Sequence, residues 1–150
     1  MAQVNIVTMV DAGKALLKGT LEGHLYMMDN GVKSGGQGTA RLSTGCQRGQ
    51  VVNWIIYPMQ GPAASVRISS ITFPDGDVCG ELRIYGGLCD QTSPYAPVYD
   101  YWAGYVLGAL AFGVYRYRLE VEIRTAAWAR RLSVETPSLN VQPPSKGRGL

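Results

Sequence analysis

The chain has 150 residues and a formal charge of +3, from 14 basic and 11 acidic side chains, with 46% hydrophobic content, 17% charged content, 19 glycines and 8 prolines. These totals describe one globular domain of short strands and tight turns, able to bury about two-thirds of its unfolded surface, and they exclude a disordered or fibrous chain. Arginines that alternate with glutamates make a mixed-sign solvated face, so nucleic acid is excluded as a partner.

The start, Met1-Ala2-Gln3-Val4-Asn5, has no positive charge ahead of its apolar residues, which argues against a secretory signal and for a cytoplasmic protein. Residues 4–10 predict a first strand, buried on both faces or shifted in phase by a bulge near Val7. Asp11 then caps a short helix that Gly19 ends. Residues 25–28 predict a strand stopped by Asp29-Asn30-Gly31, a strong turn signal. The stretch Gly35-Gly36-Gln37-Gly38 reads as a loop, since neither phosphate-binding glycine spacing nor a following helix accompanies it. Residues 39–44 alternate as a strand, and residues 46–50 turn.

The run Val51-Val52-Asn53-Trp54-Ile55-Ile56-Tyr57 predicts a central strand with Trp54 as a core anchor. Val66 and Ile68 share one parity, and Ile71 and Phe73 the other, which predicts a bulge at Ser69-Ser70. Pro74-Asp75-Gly76-Asp77 turns the chain into a strand over 82–85, and residues 88–97 read as irregular. The strongest signal is the run 114–124, where Tyr115, Tyr117, Leu119, Val121 and Ile123 alternate with Arg116, Arg118, Glu120, Glu122 and Arg124, the mark of one long antiparallel strand. A turn at 126–129 returns residues 132–135 as its partner, and residues 138–141 form a last short strand. The expected architecture is all-β, an antiparallel β-sandwich of jelly-roll or Ig-like type with at most one short helix near the N-terminus, as a single domain over 1–141. The tail 142–150 is expected to be disordered. The uncharged run 101–115 is too short and too glycine-rich to cross a membrane, and no membrane partner is expected.

Several segments together resemble the bacterial AidA/PixA inclusion body proteins. These are the strand ending in Val10-Asp11-Ala12, the pair Tyr26-Met27, the stretch Ser34-Gly35-Gly36-Gln37-Gly38-Thr39-Ala40, the strand Gly49-Gln50-Val51-Val52-Asn53-Trp54, and Tyr101-Trp102-Ala103-Gly104 followed by Gly113-Val114-Tyr115-Arg116-Tyr117. The resemblance spans roughly residues 4–141 and departs from the family at Val134-Glu135-Thr136-Pro137, where an aromatic-rich ending is expected. It implies a cytoplasmic bacterial β-sandwich, induced by cell density or growth phase, that associates with itself and has no catalytic motif.

The chemical inventory agrees with a non-enzyme. His24 is the only histidine and sits beside a strand start, a capping or surface position rather than that of a general base. Asp75-Gly76-Asp77 has carboxylates for a hard cation, but Pro-Asp-Gly-Asp is foremost a turn, and no metal or cofactor is expected. Cys46, Cys79 and Cys89 match neither a metal pattern nor a disulfide framework and read as thiols, with pairing of Cys79 and Cys89 across a hairpin left open. The surface candidate is the cluster Tyr95, Tyr99, Asp100, Tyr101 and Trp102, with Asp29 and Asn30 from another loop: aromatic rings stack on a sugar while a carboxylate accepts its hydroxyls. The same aromatics also read as core, with either Tyr101 or Trp102 inside. The sequence thus supports a self-associating homo-oligomer first and a carbohydrate-binding lectin using Asp29, Asn30, Tyr95, Tyr99, Asp100 and Trp102 second.

Overall fold

The computed structural model describes residues 1–59, 64–86 and 99–144. The fold is all-β, as expected, with eleven strands and one helix among the described residues. The first strand, β1 (Val4–Val10), leads through α1 (Ala12–Lys18) to β2 (Leu25–Asp29) and β3 (Ser43–Cys46). They are followed by β4 (Val51–Pro58), β5 (Ser65–Thr72), β6 (Cys79–Gly86) and β7 (Asp100–Val106). The chain closes with β8 (Gly113–Arg116), β9 (Arg118–Arg124), β10 (Ala129–Val134) and β11 (Ser138–Val141).

Three sheets share one core: a five-stranded sheet ordered β2-β1-β4-β7-β6, and two three-stranded sheets ordered β10-β9-β5 and β3-β11-β8. Pairing is mixed, not antiparallel throughout, since β1 runs parallel to β4 and β11 parallel to β3. Parallel neighbours need a crossover. For β1 and β4 it is the whole excursion through α1, β2 and β3. Asp11 caps α1 by accepting from the Lys14 amide at 3.2 Å, and Gly19 closes it in the left-handed conformation at φ 72°. Both positions follow from the sequence.

The run 114–124 is two strands, not one. Its period-two parity holds, with Tyr117, Leu119, Val121 and Ile123 buried, but the ladder breaks at Tyr117 and the chain passes from the β3-β11-β8 sheet to the β10-β9-β5 sheet. Tyr117 takes up the step. Its amide donates to Pro137 O at 3.0 Å, and its ring lies edge-on to Trp54, 5.7 Å between centroids, with its hydroxyl accepting from Trp54 Nε1 at 3.1 Å. An alternating pattern records which side is buried but not which sheet buries it, so the break is invisible to periodicity. Burial also pushes the Tyr117 phenol well above its usual range.

Other differences are local. The register of β1 against β4 is continuous through Val7, without a bulge, and Val7 and Met9 are half-buried on the outer side. The strand expected at 39–44 begins only at Ser43, because Thr39 turns back on Gly36, 3.1 Å from amide to carbonyl. Gly45 within β3 lies against the backbone of Val32, whose carbonyl oxygen sits 1.8 Å from where a Cβ would stand. No other residue fits there. The bulge expected at Ser69-Ser70 is present between Ile68 and Ser70. Gln142, assigned to the tail from sequence, donates its amide to Cys46 O at 2.9 Å.

Candidate functional site

The two faces of the five-stranded sheet differ. Inward point Val4, Ile6, Val10, Leu25, Met27, Val52 and Trp54, all buried. Register places Asn5, Val7 and Met9 of β1 on the other face, beside Asn53, Ile55 and Tyr57 of β4. Tyr26 and Met28 of β2 flank them, and Tyr101, Ala103 and Tyr105 of β7 continue the face toward β6.

This alternation splits the aromatic cluster. Trp102 pairs with Trp54 in the ladder and faces inward, packed on the core, its Nε1 donating to Ile68 O of β5 at 2.9 Å. It is therefore a bridge between sheets and not a surface ring. Tyr101 faces out, stacked on Tyr85 at 5.9 Å with 23° between planes, and Tyr99, which is exposed, meets it edge-on at 6.3 Å. Asp100 starts β7 half-buried, with Oδ1 buried and without a hydrogen-bond partner among the described residues. Tyr95 and Cys89 lie outside the described residues.

Asp29 and Asn30 do not join this group. Three strand spacings separate β2 from β7, about 14 Å. Both residues instead hold local structure. Asp29 Oδ1 accepts from the Gly31 amide at 2.9 Å and from Gln37 Nε2 at 3.0 Å, while Asn30 Oδ1 accepts from the Asn5 amide at 2.7 Å. The glycine-rich loop has a related task. On the side of β2 away from β1, Gly38 donates to Met27 O at 2.7 Å and Gln37 Oε1 accepts from the Asp29 amide at 2.9 Å. Backbone groups that would template an added strand are thereby occupied.

Sequence reasoning missed the polar residues of the outer face. Asn53 is nearly buried and donates both amide hydrogens, to Gln3 Oε1 at 2.8 Å and Asn5 Oδ1 at 2.9 Å. The available signal was an asparagine interrupting the most apolar run of the chain, at the parity opposite Val52 and Trp54. Two shallow depressions of about 230 Å³ each share Gln3, Asn53 and Tyr101. Gly80 belongs to the first, and the Tyr105 ring fills the place of its missing side chain, 2.2 Å from where a Cβ would stand.

The other titratable groups serve structure. Cys46 and Cys79 are buried thiols, each pushed up to about 12, Cys46 by burial and then by the charge of Asp29, Cys79 by burial and then by Cys46. His24 occupies the turn between α1 and β2, its amide donating to Leu21 O and its carbonyl accepting from the Asp11 amide, both at 2.9 Å. Asp75 and Asp77 flank a turn closed from the Gly76 amide to Phe73 O at 3.4 Å. Among the described residues no three metal-ligating side chains converge, and no helix is long and apolar enough to cross a membrane.

The fold matches a solved structure, the inclusion body protein PixA from Burkholderia cenocepacia J2315, with a TM-score of 0.69 over 94% of this chain and 96% of that one at 12% identity. The resemblance read from the sequence is borne out, and at that identity what it shows is the fold. No curated protein matches the sequence. Residues 2–127 match the family described as a domain of unknown function, DUF8788, and the chain belongs to that family.

Proposed function

We infer that this protein acts without catalysis, by associating with further copies of itself through the outer face of the five-stranded sheet. The observation that carries this is a row of exposed apolar side chains, Tyr26 (36% exposed), Met28 (41%), Tyr57 (43%) and Met59 (41%), around the half-buried Val7, Met9 and Ile55. A contiguous apolar face of this kind gains free energy when a partner covers it, by about 25 cal/mol per Å² removed from water.

A second copy is the occupant we favour, for two reasons. The edge of the sheet beside this row is occupied by Gln37 and Gly38, so contact proceeds face to face and not by strand addition. The solved protein of the same fold is named an inclusion body protein. On this reading the chain is a cytoplasmic protein whose stored assemblies rise with cell density or growth phase. Light scattering across a concentration series tests it. Mass rising above that of one chain with concentration supports the reading, and a single-chain mass at every concentration contradicts it.

A further inference from the structure

Beside the apolar row, which it adjoins at Ile55, the same sheet face changes character, and the reading of this second region does not rest on self-association. The two depressions merge there into a trough whose wall is tyrosine and whose floor is amide. Tyr101 and Tyr85 are held nearly parallel, and Tyr99 stands exposed across from Tyr101. The Arg83 guanidinium lies 3.7 Å over the Tyr85 ring and the Tyr85 hydroxyl donates to Glu81 O at 2.9 Å, so the outermost ring is fixed from two sides. Beneath them, Asn53 is locked by its two bonds to Gln3 and Asn5, which leaves its carbonyl oxygen as the acceptor it can offer.

We propose that this trough binds a neutral saccharide, with Tyr99 and Tyr101 against the apolar face of a sugar ring and the amides of Gln3, Asn5 and Asn53 reading its hydroxyls. Rigid aromatic rings beside amides suit a ligand with one apolar face and a rim of hydroxyls. The amide floor carries no formal charge and Glu81 lines the first depression, so the trough does not favour a phosphorylated or carboxylated ligand. Depressions this shallow take an exposed terminal sugar and not an enclosed small molecule. The site differs from that expected from sequence: Trp102 is excluded because it faces the core, Asp29 because its carboxylate holds Gly31 and Gln37, and Asn30 because its side chain, though it adjoins the floor, is engaged by the backbone of Asn5 and Gln3.

The test is a glycan array on the purified full chain, followed by calorimetric titration of the methyl glycoside of the sugar class that binds. The variants are Tyr99→Ala, Tyr101→Ala and Asn5→Ala, each checked for folding by circular dichroism. Removing one stacking ring is expected to weaken binding about tenfold or more with the fold intact. Tyr99→Ala is the decisive variant if Tyr101→Ala disturbs the stack on Tyr85, because Tyr99 is exposed. A blank array overturns the proposal, and so does binding that survives both tyrosine substitutions. Charge substitution in the apolar row, Tyr57→Lys, is expected to leave glycoside affinity unchanged, which separates this proposal from self-association.

Discussion

The outward face of the β10-β9-β5 sheet and the outward face of the five-stranded sheet start from the same architecture and solve exposure differently. On the first, Glu122 is buried among arginines, with Arg67 hydrogen-bonded to it, Arg124 at 3.6 Å and Arg131 at 3.9 Å, while Ser69 donates to Glu120 at 2.8 Å. Its charges find partners on neighbouring strands of the same chain, and each exposed pair contributes little. On the second, the exposed side chains of the row are methionine and tyrosine, whose thioethers and rings gain little from water. A face that satisfies itself is finished as a surface, whereas one that cannot is suited to being covered.

This contrast can be broken first at the core that carries both faces. Trp54→Ala removes a fully buried ring and its bond to Tyr117, and is expected to cost about 3–5 kcal/mol in chemical denaturation. Neighbouring residues of β7 should then separate the two sides of one strand. Trp102→Ala, on the inner side, is expected to cost about 2–4 kcal/mol, and Tyr101→Ala, on the outer side, about 1 kcal/mol or less. Equal losses would mean that β7 does not present two different environments.

The charged face is sharpened by acid. The hydrogen bond from Arg67 holds the Glu122 carboxyl below its ordinary 4.5, against the opposing effect of burial and with help from the charges of Arg67, Arg124 and Arg131. A depressed folded value means that the stabilisation is present above 4.5 and is lost as pH falls through the lower folded value. Denaturation midpoints are expected to fall with pH below 4.5 in the parent, and to fall less steeply in Glu122→Gln. The smallest effect concerns the thiols. Cys46 and Cys79, buried and pushed up to about 12, are expected to resist iodoacetamide at pH 8 in the folded protein and to react once it is unfolded, by mass spectrometry of labelled peptides.

Much of the fold was legible because it rests on short-range signals. The Asp11 cap, the Gly19 stop, the central strand around Trp54 and the parity change at Ser69-Ser70 each follow from a few adjacent residues. Pairing partners did not. Nothing local says that β1 lies parallel to β4, or that the chain changes sheets at Tyr117, because those are choices between distant strands that bury the same side chains equally well. The candidate site was legible only in part for the same reason. Tyr99, Asp100, Tyr101 and Trp102 are adjacent in sequence, and alternation sends Tyr101 and Trp102 to opposite faces. Gln3, Asn5 and Asn53 come together only through the parallel register of β1 and β4.

Sedimentation velocity on matched variants tests most directly whether the two outward faces differ in holding a second copy. Met28→Glu with Tyr57→Lys places charge in the apolar row, and Arg131→Ala with Ser69→Ala disturbs the charged face to a comparable extent. The parent is expected to sediment as more than one chain, the first pair to reduce it to a single chain, and the second to leave its size unchanged. A parent that is already a single chain, or a size that responds to the second pair and not the first, would contradict this expectation.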